Sequence, residues 1–414
     1  MPSTTERVAL RGYRQFGARQ SEAGALRNAL AHLGLVAPHT GQAFSEEMLF
    51  GIGGGLGLGY FVYQMPGYAS LFVATRITTE ESARPGFVMA MCERLGLDVD
   101  LQHASSAAVA EKKLQAHLAQ GMPVIVWIDP SKLPYYGRWL YTYHTLVVYG
   151  IDYGRDEVYV ADRSAKALAL KRSELSAARQ GEGAIRFRAL PVSAPRPVTL
   201  PALRRGVTQG LRDFCNQMQN GFGPANFRSN FGLKALEKWA GLLTDAADRR
   251  GWPKYFPAGP HLFRALTAVY DQIENRGSGG SAFRPMYADF LEEAGGVLNK
   301  PRLASVAEQF RESARLWSGL AAALLPSSVA LFKETKQLAT RRRTLFEKKG
   351  LAAVGELQTI DARLAEIGSQ VEQEFPLNSG EVLDLLADLR DRVLAIHQVE
   401  AKAVSALQAS LGRG

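Results

Sequence analysis

The pattern of apolar residues changes once along this chain, near residue 195, and no single motif restricts the fold as strongly. Before that point SLFVATRIT, MPVIVWID, TLVVYGID, EVYVADRS and AIRFRALPV alternate with helical segments. These runs are rich in Val, Ile and Tyr and are bounded by Gly, Pro and Asp, as strands of a half-buried sheet are. The Pro-rich stretch SAPRPVTLPA, Ser193 to Ala202, follows. Beyond it ALRRGVTQGLRDFCNQM, FGLKALEKWAGLLTDAADRR, PHLFRALTAVYDQIENR and FRPMYADFLEEAGGVL repeat apolar residues three and four apart. Longer helices are expected from about Arg302 to Lys349, with a break near Pro326, and from about Ser379 to Leu411. A chain of 414 residues exceeds one ordinary core. The expected class is therefore α+β, with a mixed domain over residues 1–195 and an all-α domain over 196–414.

Several functional classes drop out on composition. The N-terminal segment carries arginines without an apolar core, so it does not read as a secretory signal. The longest apolar stretch, Trp317 to Phe332, is interrupted by Pro326, Ser327 and Ser328, so no membrane span is expected and the cytoplasm is the expected compartment. Cys92 and Cys215 are the only cysteines; both lie in segments that read as buried helix, with no disulfide framework and no zinc spacing. No metal site is expected. The net charge of +9 allows an acidic partner without choosing among nucleic acid, a membrane surface and an acidic carrier protein. The densest basic run, Lys333 to Gly350, reads as a solvated helix face, and no nucleic-acid motif accompanies it, so nucleic acid is not expected.

The chemistry is concentrated in the first domain. In RQSEAGALRNALAHLGL, Ala25, Leu26, Ala29, Leu30 and Leu33 form one helix face, which places Ser21 in the first turn. A serine there is either a plain N-cap or a nucleophile at the positive end of the helix. In YTYHTLVVYGIDYGRDEVYVADRS, His144 opens one strand and Asp162 ends the next. An antiparallel hairpin sets those two residues side by side, which is the base and orienting acid a nucleophile requires. Gln15, six residues before Ser21, is placed to donate to an oxyanion together with the Ser21 backbone N–H. Glutamine, helix-start nucleophile, strand-start histidine and strand-end aspartate stand in the order that papain-like enzymes use.

The segments ARQSEAGALRNALAHLGL, SEEMLFGIGGGLGLGYF, YHTLVVYGID, VYVADRS, NFGLKALEKWA and FRPMYADFLEEAGGVL resemble the butirosin biosynthesis protein H family over most of the chain, up to about Leu320. Its first part is also similar to the peptidase domains of bacteriocin exporters. The resemblance implies a papain-like N-terminal domain followed by an all-α domain. It further implies transfer of an acyl group from an acyl carrier protein thioester to an amine, with the donor on the partner's phosphopantetheine arm and no cofactor of the protein's own. A CoA thioester is the other donor, the acceptor is a small molecule, and a homodimer stays open. The family pattern has His-Cys where this sequence has Gln20-Ser21. A thiolate attacks a thioester readily, whereas serine requires its general base throughout.

The run from Gly51 to Tyr60 lacks the Gly-Lys-Ser/Thr ending of a phosphate loop, and no strand precedes it. Its glycines, Gly54 and Gly55 among them, are expected to admit backbone close to the active-site helix or a pantetheine arm. Tyr136, Trp139 and Tyr143, just before His144, either line an acyl or acceptor pocket or cap the core; the pocket is favoured because loops entering catalytic residues often supply specificity. Arg284, Tyr287, Asp289 and Glu292 are read either as substrate contacts or as links between helices. Two functions of different class remain: an enzyme making an amide or ester, or releasing or cyclising the acyl chain, and a non-catalytic module that docks a carrier.

Overall fold

The computed structural model describes residues 7–65, 68–74, 86–137, 143–181, 183–193, 196–275 and 279–412. The first elements are β1 (Arg7–Ala9), α1 (Ser21–His32), α2 (Glu46–Ile52), β2 (Gly59–Met65), β3 (Tyr68–Ala74), α3 (Phe87–Leu95), α4 (Ala107–Ala119) and β4 (Val124–Ile128). Next come β5 (His144–Asp152), β6 (Glu157–Ala161), β7 (Leu168–Lys171), α5 (Arg172–Arg179) and β8 (Ala189–Pro191). The helices that follow are α6 (Leu200–Asn220), α7 (Gly232–Thr244), α8 (Trp252–Tyr255), α9 (Pro260–Glu274), α10 (Arg284–Leu298) and α11 (Arg302–Leu324). The last are α12 (Ala330–Lys349), α13 (Val354–Gln373) and α14 (Ser379–Leu411). The class is α+β, as expected.

Contacts divide the chain into two units: residues 1–53, 79–206 and 342–361 form the first, and residues 54–78, 207–341 and 362–414 the second. This differs from a cut at residue 195. The β2–β3 hairpin sits among the C-terminal helices, and the tip between α12 and α13 packs with the sheet. Linear composition reports what a segment is made of, whereas unit membership depends on which surface its apolar face meets.

In the first unit the sheet runs β7-β6-β5-β4-β8, with β1 also paired to β5, and every pairing is antiparallel. Its centre, HTLVVYGID, is apolar on both faces and buried along nearly all its length, as an interior strand must be. Helices α1, α4 and α5 pack on β5, β1 and β4, and the core holds Val124, Val126, Leu146, Val148, Val160 and Leu170. SLFVATRIT, expected in this sheet, instead supplies the end of β3, which among the described residues pairs with β2 alone; residues 75–78 lie outside them.

The second unit is built on aromatic packing. Tyr60 of β2 stacks on Trp239, and its hydroxyl accepts from Trp252 Nε1 at 2.9 Å. Tyr287 lies against Phe214 and Phe310, with ring centroids 4.5 and 4.9 Å away. Before α10 the backbone is unusual, since φ is positive at each residue from Gly279 to Phe283. Left-handed backbone costs a non-glycine residue about 1–2 kcal/mol. Two bonds hold this turn: Ser281 Oγ to Ser318 Oγ at 2.7 Å, from far along the chain, and Arg284 Nη1 donating locally to Ala282 O at 2.8 Å. Arg284 also donates to Glu400 at 2.8 and 3.0 Å, with both side chains fully buried.

Candidate active site

β5 begins at His144 and Asp162 directly follows β6. The register sets Ala161 against Val147, so the Asp162 carboxylate lies beside the start of β5. His144 Nε2 and Asp162 Oδ1 are 2.7 Å apart. Asp162 is 4% exposed, and three further donors converge on it: the Tyr135 hydroxyl at 2.9 Å, the Tyr136 hydroxyl at 3.1 Å and the Arg163 N–H at 2.7 Å. Burial alone would raise this carboxyl; the charge and hydrogen bond of His144, with those of Tyr135 and the Arg163 N–H, outweigh burial and hold it below its ordinary value. Nε2 is tied to the carboxylate, and among the described residues no hydrogen bond reaches Nδ1.

Tyr136 touches both members of this pair, its hydroxyl lying 2.9 Å from His144 Nε2. The phenol gives its proton to Asp162 and offers its oxygen to the Nε2–H. It is 4% exposed, so it is a positioning residue of the pair, where the sequence reading favoured a pocket wall. Tyr143 is half-buried, and Trp139 lies outside the described residues. Tyr136→Phe removes one hydrogen bond to a charged group, worth about 1.5–3 kcal/mol, and is expected to lower kcat about ten- to a hundredfold with KM unchanged. An unaltered kcat and pH profile in steady-state kinetics would remove Tyr136 from the network.

Ser21 is the first helical residue of α1, and the cap is Gln20, whose side-chain oxygen accepts from Ala23 N at 2.6 Å. The plain N-cap role weighed for Ser21 is thus taken by its neighbour. Ser21 is half-buried, and among the described residues neither its hydroxyl nor its N–H has a hydrogen-bond partner. The chain entering α1 is anchored from two sides. Glu46 Oε1 accepts from the Arg19 and Gln20 N–H groups at 2.9 and 2.6 Å. Ala18 N donates to Arg163 O at 3.1 Å, which brings the segment before Ser21 alongside the residue after Asp162. Gly24 permits the close approach, since a Cβ there would lie 2.2 Å from that of Ala18.

Gln15 departs from expectation. Its Nε2 donates to Ser164 O and to Lys166 O, each at 2.6 Å, so both amide hydrogens are spent on backbone carbonyls. It clamps the loop after Asp162 to the segment before α1. The Ser21 N–H, by contrast, is an orphan group of the helix N-terminus.

The tip formed by residues 342–361 was missed in the sequence. Phe346 stacks on Tyr135, with centroids 4.3 Å apart and planes 8° from parallel. Glu347 Oε1 accepts from Arg163 at 3.0 Å, and Ser164 donates to Glu347 O at 3.1 Å. Within the tip Arg342 pairs with Asp361 at 2.6 Å and Lys349 with Glu356 at 2.5 Å, so part of the basic run is neutralised by α13. The only hint was the apolar pair Leu345-Phe346 inside RRRTLFEKK.

Other expected site residues lie elsewhere. Gly54 and Gly55 belong to the second unit with φ of +112° and +62°, and a Cβ on Gly55 would come 2.5 Å from the Tyr287 ring. Their role there is turn formation and packing. Arg284 and Tyr287 are buried in that unit, while Asp289 and Glu292 pair with Arg311 at its surface. Cys92 and Cys215 are buried, and burial pushes both thiols up to about 12. Among the described residues no helix is long and apolar enough to cross a membrane.

Fold and site together define an α+β unit with a buried aspartate–histidine pair and a serine at a helix start, in a chain whose C-terminal region is helical. Residues 20–163 match the family model for the N-terminal part of butirosin biosynthesis protein H, and residues 173–348 match a domain of unknown function (DUF4872). That pairing is the architecture of the butirosin biosynthesis protein H family, and the chain belongs to it. The first match spans Ser21, His144 and Asp162 and leaves out Gln15. No curated protein matches the chain.

Proposed function

We propose that the first unit is a papain-like acyltransferase acting in secondary-metabolite biosynthesis, and that it transfers an acyl group from a carrier-protein thioester to an amine or hydroxyl acceptor. The observation that carries this reading is the 2.7 Å contact between His144 and a buried, four-donor Asp162. A pair held in this way leaves Nδ1 free to act as a base. In the first half-reaction His144 Nδ1 takes the Ser21 proton as Oγ attacks the thioester carbonyl. The Ser21 N–H stabilises the oxyanion, the C–S bond breaks, and the departing thiolate takes the proton back from His144. In the second, His144 removes the acceptor's proton, the acceptor attacks the Ser21 ester, and the C–O bond breaks with return of the proton to Oγ. The charge of +9 suits an acidic carrier, and carrier thioesters place the reaction in the cytoplasm.

Intact-mass spectrometry after incubation with a panel of acyl thioesters tests this. A mass gain equal to the acyl group is expected on the native chain and none on Ser21→Ala. Acyl release into water alone would make the protein a thioesterase. Carrier binding with neither adduct nor turnover would make it a docking module, and the transferase reading would be withdrawn.

A further inference from the structure

A second recess in the first unit lies between α4, α5 and the far ends of β5 and β6. It is lined by Ala110, Leu114, Ile151, Val158 and Phe187, together with Glu111, Arg172 and Arg179. Along β5, Ile151 is about 23 Å from His144 at 3.3 Å per residue, so this is a separate place from the candidate active site. The cavity volume is about 30 Å³. Since a water requires roughly 10–15 Å³ on that measure, there is room for about two, the size of one carboxylate group.

Arg179 is what makes this recess more than a packing defect. It closes α5 and is 4% exposed, yet among the described residues nothing accepts a hydrogen bond from its guanidinium, and its Nε is buried without a partner. Glu111 is the acid whose charge acts on it, but Glu111 is engaged by Arg172, which also binds Asp156 at 3.1 Å. Two guanidinium groups thus share one carboxylate at the recess, and the other acid stands at the exposed side. Burial pushes the Arg179 group down to about 10, the direction expected of a cation lacking full compensation. The negative end of the α5 dipole offsets part of a charge at most. The α5 carbonyls that would favour a cation are already used, since Ala178 O accepts from Asp129 N and Arg179 O from Phe187 N, both at 2.8 Å. Buried charges ordinarily have partners, and among the described residues the Arg179 guanidinium has no hydrogen-bonded one.

We propose that this recess takes the carboxylate of a small organic acid onto Arg179, with the acid's short apolar chain extending out through the mouth of the recess. A guanidinium fork takes a carboxylate through two parallel hydrogen bonds, and an apolar rim favours a hydrocarbon tail over a hydroxylated one.

Calorimetric titration of the full chain with sodium butyrate in low-chloride buffer tests the proposal. One saturable site is expected, with butyramide binding at least tenfold more weakly because it carries no charge. Arg179→Gln should weaken butyrate by tenfold or more. Ser176→Phe, which fills the recess and leaves the arginine in place, should do the same and guards against a folding defect in the first variant. Ser21→Ala should bind butyrate as the native chain does, which separates this site from the acyl site. Glu182→Gln should also leave binding unchanged, because the proposal gives Arg179 its carboxylate from solution and none from the chain. Absence of saturable butyrate binding would overturn the proposal. So would binding lost in Ser21→Ala but kept in Arg179→Gln, preference for inorganic phosphate over butyrate, or tighter binding in Glu182→Gln.

Discussion

His144→Asn is expected to lower the rate of acyl transfer by about 10³–10⁴-fold, because in the proposed mechanism the imidazole serves as base in both half-reactions and, among the described residues, no other titratable side chain is bonded to Asp162 except two buried tyrosines. The double variant Ser21→Ala, His144→Asn should be little worse than either single one, since residues acting as a unit lose their function together. A loss below about tenfold in a thioester assay would place the chemistry elsewhere. Asp162 adds a pH-dependent stability contribution of its own. Its folded value is lowered from 3.8, so its contribution is fully present above that ordinary range and is lost as pH falls through the lowered value. The pair should therefore stay assembled throughout mildly acidic conditions. A profile whose acid limb moves in Asp162→Asn, with circular dichroism unchanged, would tie that limb to the pair.

The largest effect on stability is expected in the second unit. Arg284→Met leaves Glu400 fully buried without its counter-charge, and breaking a buried pair on one side costs about 3–5 kcal/mol. Ser313 and Trp317 also donate to Glu400, at 2.6 and 2.8 Å, and would remain, but neither carries charge. The lost Arg284 bond to Ala282 should loosen the left-handed turn as well. Replacing both partners, Arg284→Met with Glu400→Leu, is expected to recover most of the loss, because two apolar side chains fill the same space without desolvated charge. Urea unfolding measures both. A single-variant loss under about 1 kcal/mol, or a double variant no better than the single, would contradict this account. Burial would raise the Glu400 carboxyl, but Arg284 and the bonds from Ser313 and Trp317 hold it below 4.5. The pair's contribution is thus present above the ordinary carboxylate range and disappears only as pH falls below it.

The difference between the two halves of the chain shows how much was legible. His144 and Asp162 could be paired from sequence because a hairpin imposes a period and a register, and a tight turn fixes which residues face each other. The helix start near Ser379 and the break near Pro326 were equally local, since a cap and a proline each act on backbone within a few residues. Ser21 lies in the first turn as read, and of the two roles weighed for it the cap falls to Gln20, a rare capping residue whose backbone N–H is held by Glu46.

What sequence alone determined, then, was the set of elements and the one contact a hairpin makes unavoidable. Tertiary structure decided everything that depends on residues far apart in the chain. It turned Gln15 from a free donor into a clamp on residues 164–166, and Tyr136 from a pocket wall into a support of the base. It gave Arg284 to Glu400 across 116 residues, and brought Phe346 onto Tyr135 from beyond the apparent end of the mixed domain. A donor's use depends on which acceptor folding delivers to it, and no local period or composition carries that information.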